Sequence, residues 1–141
     1  MPAKDTYHEH VKEALFKDGW VFQDSNVSYR VPGILIYPDF KAEKTIIEAV
    51  NQERKIKILI DVKSFTGRSF IDDLKDMQGT HNIYSYVLTQ KDPDRKLWLA
   101  IPEHVYQSHF TKPDLIALKV MYNMSIVTFD IRLRCFVQWI P

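Results

Sequence analysis

ILIDVKSF, residues 58–65, is the stretch whose reading decides the fold. In an extended chain alternate side chains share a face. Read together with the KIK before it, one face carries Ile56, Ile58, Ile60 and Val62, an unbroken apolar row. The other carries Lys57, Leu59, Asp61 and Lys63. The pattern predicts a strand with one face in the core and the other lending opposite charges to something else. Asp61 and Lys63 would stand about 7 Å apart along that face.

Upstream, Pro38-Asp39 closes the strand-like run ILIY at 34–37, and twenty-one residues separate Asp39 from Asp61. If the two strands are neighbours, Asp39 and Asp61 converge on one point. Two carboxylates at one point repel unless a cation lies between them. Carboxylate oxygens with water and an open coordination sphere suit Mg²⁺ or Mn²⁺. A lysine beside them can steady charge that develops on a phosphate. A plainer reading stands beside this one. Asp61 and Lys63 would then be a solvated salt bridge on the open face of an edge strand, worth little to stability. Spacing alone favours the plainer reading.

The rest of the chain supplies the frame. TYHE at 6–9 reads as a capping box opening a helix over 6–17, with Gly19 just past its end. His8, Val11 and Leu15 fall on one side of it. Residues 20–23 and 27–31 read as a hairpin around the turn signal DSN. AEKTIIEAVNQ at 42–52 mixes signals and reads as a short helix or a long excursion. Ser69 is a helix cap with Asp72 and Asp73 in the first turn. Ile71, Leu74, Met77, Tyr84 and Leu88 follow at helical spacing. KLWLAIP at 96–102 reads as a strand, Pro102 and Pro113 each open a short helix, and SIVTFDI and RCFVQWI form a closing hairpin. The order predicts an α/β or α+β domain around one mixed central sheet flanked by helices.

Composition narrows the classes. The chain has 141 residues, a net charge of +1 and one cysteine, Cys135. It has the size of a single domain spanning 1–141. An internal disulfide is impossible, which suits a reducing, cytoplasmic compartment. The near-zero charge excludes a generally basic nucleic-acid binder, so any such contact needs a local patch. Lys41, Lys44, Arg54, Lys55, Arg68 and Lys75 are candidates for it. No run approaches the roughly 18 apolar residues of a membrane helix, and the amino terminus is charged where a signal peptide is apolar. His81, His104 and His109 have no coherent ligand spacing, and Trp20, Trp98 and Trp139 read as core or interface anchors.

At this point the chain resembles a known family. MPAKD-x-x-H-x-x-V-x-x-AL-x-KDGW over 1–20, D-x-x-AE from Asp39 to Glu43, DVKSF over 61–65 and VQWIP over 137–141 together resemble the XisH family. These are the fdxN element excision controlling factor proteins, found mainly in cyanobacteria. The resemblance implies a restriction-endonuclease-like fold of the PD-(D/E)xK type. Carried over, Asp39 and Asp61 bind Mg²⁺ or Mn²⁺ and Lys63 completes the catalytic set. Glu43, four residues past Asp39, is a third candidate ligand, with a surface glutamate as its equal alternative. Thr80 stands where the family tends to carry a glutamine, four residues before Tyr84, which puts that helix position in doubt. His8 matches the motif and is expected to pack at the helix–sheet junction. The resemblance implies a role in DNA element excision, with DNA and an XisI-like small protein as expected partners. The alternative is a non-catalytic regulator on a nuclease scaffold. A homo-oligomer joined through the aromatic C-terminal hairpin fits either reading.

Overall fold

The computed structural model describes residues 5–67 and 69–141. Residues 1–4 of the amino-terminal motif and Arg68 lie outside the described residues. The elements are α1 (His8–Lys17), β1 (Val21–Gln23), β2 (Tyr29–Val31), β3 (Ile34–Ile36), β4 (Phe40–Ala49), β5 (Gln52–Val62), α2 (Phe70–Lys91), β6 (Lys96–Pro102), α3 (Glu103–Val105), a π-helical turn (Tyr106–Phe110), α4 (Pro113–Met121), β7 (Ile126–Asp130) and β8 (Cys135–Ile140). The fold is mixed α/β, as the order of elements predicts.

Six strands form one sheet in the order β1-β4-β5-β6-β7-β8. β5, β6 and β7 run parallel, and the pairs toward either edge are antiparallel. β5 therefore lies inside the sheet, between β4 and β6, and is no edge strand. Its alternation sorts the core as the sequence predicts. Ile58, Ile60 and Val62 pack with Phe40, Trp98, Ala100, Val127 and Phe129 under Val11 and Leu15 of α1. Leu59 turns the other way, into a cluster with Leu88 of α2 and Leu97. Met77 of α2 packs on Leu99, Ile101 and Ile126 from that same side. Thus α1 covers one face, and α2 with α3, the π-helical turn and α4 covers the other; Asp61, in step with Leu59, faces α2.

Four readings need correction. AEKTIIEAVNQ is not helical: it is most of β4 and its turn into β5, registered residue by residue from Phe40–Ile60 to Ile47–Glu53. Its Ala, Glu and Lys favour a helix weakly, and pairing with KIKILID overrides that preference. Residues 20–23 and 27–31 do not pair with each other. β1 joins β4, while β2 makes its own small sheet with β3. The turn between them holds Pro32 and Gly33, and Gly33 has φ +86, the left-handed conformation a glycine reaches without strain. Thr6 caps nothing. α1 starts two residues later, at His8, with Tyr7 before it and no side-chain cap, and the Thr6 hydroxyl lies against that of Thr66. Ile71 is 57% exposed, so the buried stripe of α2 starts after it.

The run at 34–37 is a strand, but as β3 it pairs with β2, and the neighbour that brings Asp39 to β5 is β4; the other elements stand as read. The Ser69 hydroxyl accepts from the Asp72 amide, Pro102 and Pro113 open α3 and α4, and β7 pairs antiparallel with β8. Among the described residues no helix is long and apolar enough to cross a membrane.

Candidate active site

The site forms where β4 begins and β5 ends. The β4–β5 register pairs Phe40 with Ile60, so one further step sets Asp39 opposite Asp61 and the next sets Pro38 opposite Val62. Proline cannot continue the ladder. The side chain of Asp39 takes over: its Oδ2 accepts the Val62 amide at 2.7 Å. β5 then leans on its other neighbour, with the Lys63 amide donating to Ala100 O at 2.8 Å. The strand parts from β4 at the point where the two carboxylates meet.

Beside them lies a cavity of about 230 Å³ lined by Asp5, Tyr37, Asp39, Asp61, Val62, Lys63, Asp76 and Tyr84. Lys63 Nζ stands 3.4 Å from Asp61 Oδ2 and 3.2 Å from Asp76 Oδ2. Asp61 is 6% exposed. Burial first, and then the negative charge of Asp39, push its carboxyl well above the ordinary value, with Lys63 offsetting part of the rise. Burial works against the Lys63 ammonium, but Asp61 and Asp76 outweigh it and hold that group above its usual value. Tyr84 is pushed far up by burial and then by the charges of Asp61 and Asp39, so its hydroxyl stays protonated.

The structure brings Asp39, Asp61 and Lys63 together and leaves Glu43 out. Glu43 is four residues along β4, about 13 Å at strand rise, and is absent from the cavity wall. Its carboxylate engages Arg95 at 3.2 Å and Lys55 at 3.5 Å. Arg95 first, and Lys55 after it, hold the Glu43 carboxyl below its usual range.

A comparison with protein-family models matches the XisH protein family over residues 1–136. The chain belongs to the XisH family. No curated protein matches it. The crystal structure of an XisH family protein from Nostoc punctiforme is similar at 28% identity and a TM-score of 0.84, covering 97% of this chain and all of that one. That of an fdxN element excision controlling factor protein from Anabaena variabilis is similar at 29% identity and a TM-score of 0.85, covering 98% and 100%.

Sequence reasoning missed three residues that line this candidate site. Asp5 accepts the Ser64 amide at 3.2 Å, across a separation of 59 residues. Burial raises its carboxyl, the Ser64 and Tyr7 amides draw it back, and Asp39 adds to the rise. Only its place in the amino-terminal motif pointed to it. Asp76 and Tyr84 stand eight residues apart on α2, so they share one face. Thr80 sits between them, half-buried and outside the cavity wall. The same spacing that singled out Tyr84 could have found Asp76. Tyr37, directly before Pro38, carried no signal.

His8, expected to pack, stacks on Phe40 with ring centroids 4.5 Å apart. Lys12 pairs with Asp24 at 3.0 Å and is absent from the cavity wall. His81 contacts Tyr122 O, and His109 stacks on Phe70. Trp98 packs edge-on to Trp139, which also touches Trp20. Cys135 is a free thiol.

Proposed function

We propose that this chain is a metal-dependent nuclease-like domain of the PD-(D/E)xK type, hydrolysing phosphodiester bonds of DNA in the control of DNA element excision. One observation carries the reading: Asp39 and Asp61 meet across the β4–β5 ladder, in one open cavity with Lys63 3.4 Å from Asp61. The name of the similar Anabaena variabilis protein supports the excision context.

The residues fit a hard divalent cation. Asp61 is buried beside a second carboxylate, and burial first and that neighbour second raise its proton affinity, so a cation placed between the two would relieve their repulsion. Among the described residues no three His, Cys, Asp or Glu form a ready cage. Asp39 and Asp61 would hold Mg²⁺ or Mn²⁺, with water and phosphate oxygens completing the sphere, so affinity without substrate is weak. Such an ion, when bound, supplies Lewis-acid polarisation of the phosphodiester and a more acidic water. Lys63 keeps its proton and offers a charge-assisted donor to a phosphate oxygen. Tyr84 keeps its hydroxyl proton and offers a second, neutral donor. The Val62 amide fixes Asp39, so that carboxylate needs no reorganisation before reaction.

The test is cleavage of plasmid and linear duplex DNA with Mg²⁺ or Mn²⁺ by the parent, Asp61→Asn and Lys63→Met proteins. The reading requires metal-dependent cleavage that each substitution lowers by at least about a hundredfold. Cleavage at parental rate by both variants would take these residues out of the mechanism.

A second reading is a regulator on the same scaffold, acting with an XisI-like small protein. It is favoured by the occupation of Lys63 by both Asp61 and Asp76, which leaves that ammonium already paired without a ligand. Parent protein with no cleavage, co-purifying with that partner, would favour it.

A further inference from the structure

His8 has a relationship to the site that packing alone does not explain. Its side chain is 3% exposed, yet neither ring nitrogen completes a hydrogen bond. A buried polar atom left so is destabilising. The ring is not loosely placed. It lies nearly parallel to Phe40, 23° between planes, and that contact fixes where the nitrogens point. Nδ1 faces Asp39 Oδ1 at 3.4 Å and Nε2 faces Asp24 Oδ2 at 3.8 Å. Asp24 already has the Lys12 ammonium on the same oxygen at 3.0 Å. Asp39 Oδ1 is the nearer acceptor, and the other Asp39 oxygen is taken by the Val62 amide.

We propose that His8 is the positioning residue for Asp39: its Nδ1, 3.4 Å from Oδ1, closes to a hydrogen bond there, while the Val62 amide donates to Oδ2. The inference rests on the reading of Asp39 as a metal-holding carboxylate. The two donors come from different elements, α1 and β5, and hold the carboxylate plane from both ends. Groups that donate to a metal-holding carboxylate set its orientation, and losing one commonly lowers metal affinity about 10- to 100-fold. The stacking on Phe40 explains why a histidine serves here. A flat ring can lie on Phe40 and still present a donor at its edge, which an aliphatic amide does less rigidly.

The first test needs no metal. Nitrogen-proton correlation spectra of isotope-labelled histidine in the full chain, with His8 assigned by its loss in His8→Asn, report which ring nitrogen carries the proton. A proton on Nδ1, displaced in Asp39→Ala, is the expected result. An unprotonated Nδ1, or a spectrum unchanged in Asp39→Ala, overturns the proposal. The second test is calorimetric Mn²⁺ binding to parent, His8→Asn and His8→Phe. Asparagine keeps a donor near the Nδ1 position and phenylalanine keeps only the stacking. Affinity should be retained within about threefold in His8→Asn and fall about tenfold or more in His8→Phe at equal thermal stability. Equal affinity in both overturns the proposal. A parent that binds no Mn²⁺ removes the metal reading instead, and the spectra then decide the role of His8 alone.

Discussion

Asp39 stands opposite Asp61 one step beyond the Phe40–Ile60 pair, where the ladder between β4 and β5 ends. Pro38, which has no N–H for the ladder, lies just before β4, and there the Asp39 side chain accepts the Val62 amide. Two like charges are thereby held in a place where only one of them has a backbone donor.

That conflict gives a pH dependence. The Asp61 carboxyl is raised above its ordinary 3.8 by burial and by Asp39. Between the unfolded value and the raised folded one, the folded state keeps a proton the unfolded state has lost. Its contribution is therefore complete below about pH 4 and is lost as pH rises through the folded value. Asp61→Asn removes this term and can donate its amide to Asp39. Relative to the parent, the variant gains stability as pH rises above the ordinary carboxyl value of 3.8. Urea unfolding at several pH values measures it. A parallel pair of curves would refute the assignment.

Among the described residues, Lys63 is the one cation lining the cavity with these carboxylates. Lys63→Met leaves Asp61 and Asp39 without it and lowers stability at neutral pH by about 1–3 kcal/mol. The double variant with Asp61→Asn recovers most of that loss, because the charge left unpaired is gone. A coupling energy of at least about 1 kcal/mol in the double-mutant cycle is expected. Additive losses would mean that the two side chains act independently.

The parts of this arrangement legible in the sequence were those set by local pattern. The alternation of Ile58, Ile60 and Val62 against Leu59 and Asp61 gave the strand and its two faces. Ser69, Pro102 and Pro113 marked starts of helices through chemistry within one turn of themselves. What stayed hidden depended on distant chain. β4 carries helix-favouring residues and is a strand only because β5 pairs with it. Asp5 reaches Ser64 from the far end of the chain, a contact no spacing rule encodes. Glu43 lies in the same motif as Asp39, but a strand carries four residues some 13 Å, farther than a glutamate can reach back. As a helix, the misread segment would have kept the two close.

Glu43→Gln therefore leaves Mn²⁺ affinity within about twofold of the parent, whereas Asp39→Asn lowers it by about tenfold or more. Calorimetry under the same conditions compares them. Loss of binding in Glu43→Gln at unchanged stability would return that residue to the site.

The groups Glu43 does serve lead to the strongest stability prediction. The Arg95 side chain is 3% exposed. It donates to Ala42 O at 2.8 Å and Ile58 O at 3.0 Å, to Asp92 at 2.8 Å and to Glu43 at 3.2 Å. Tyr29 donates its hydroxyl to the same Asp92 oxygen at 2.7 Å. Ala42 and Ile58 are register partners, so one guanidinium ties β4 to β5 just three residues before Asp39 and Asp61 come together. Arg95→Met strips donors from two backbone carbonyls and a partly buried carboxylate at once. Its cost is about 3–5 kcal/mol, as for other buried ion pairs broken on one side, against less than about 1 kcal/mol for Glu43→Gln, whose carboxylate is more exposed. Arg95→Lys recovers only a part, because one ammonium cannot reproduce the guanidinium fork. Urea unfolding of the three variants gives the order, and hydrogen exchange locates the loss at β4 and β5. If Arg95→Met and Glu43→Gln cost the same, the two carbonyl contacts contribute nothing and the register is held by the ladder alone.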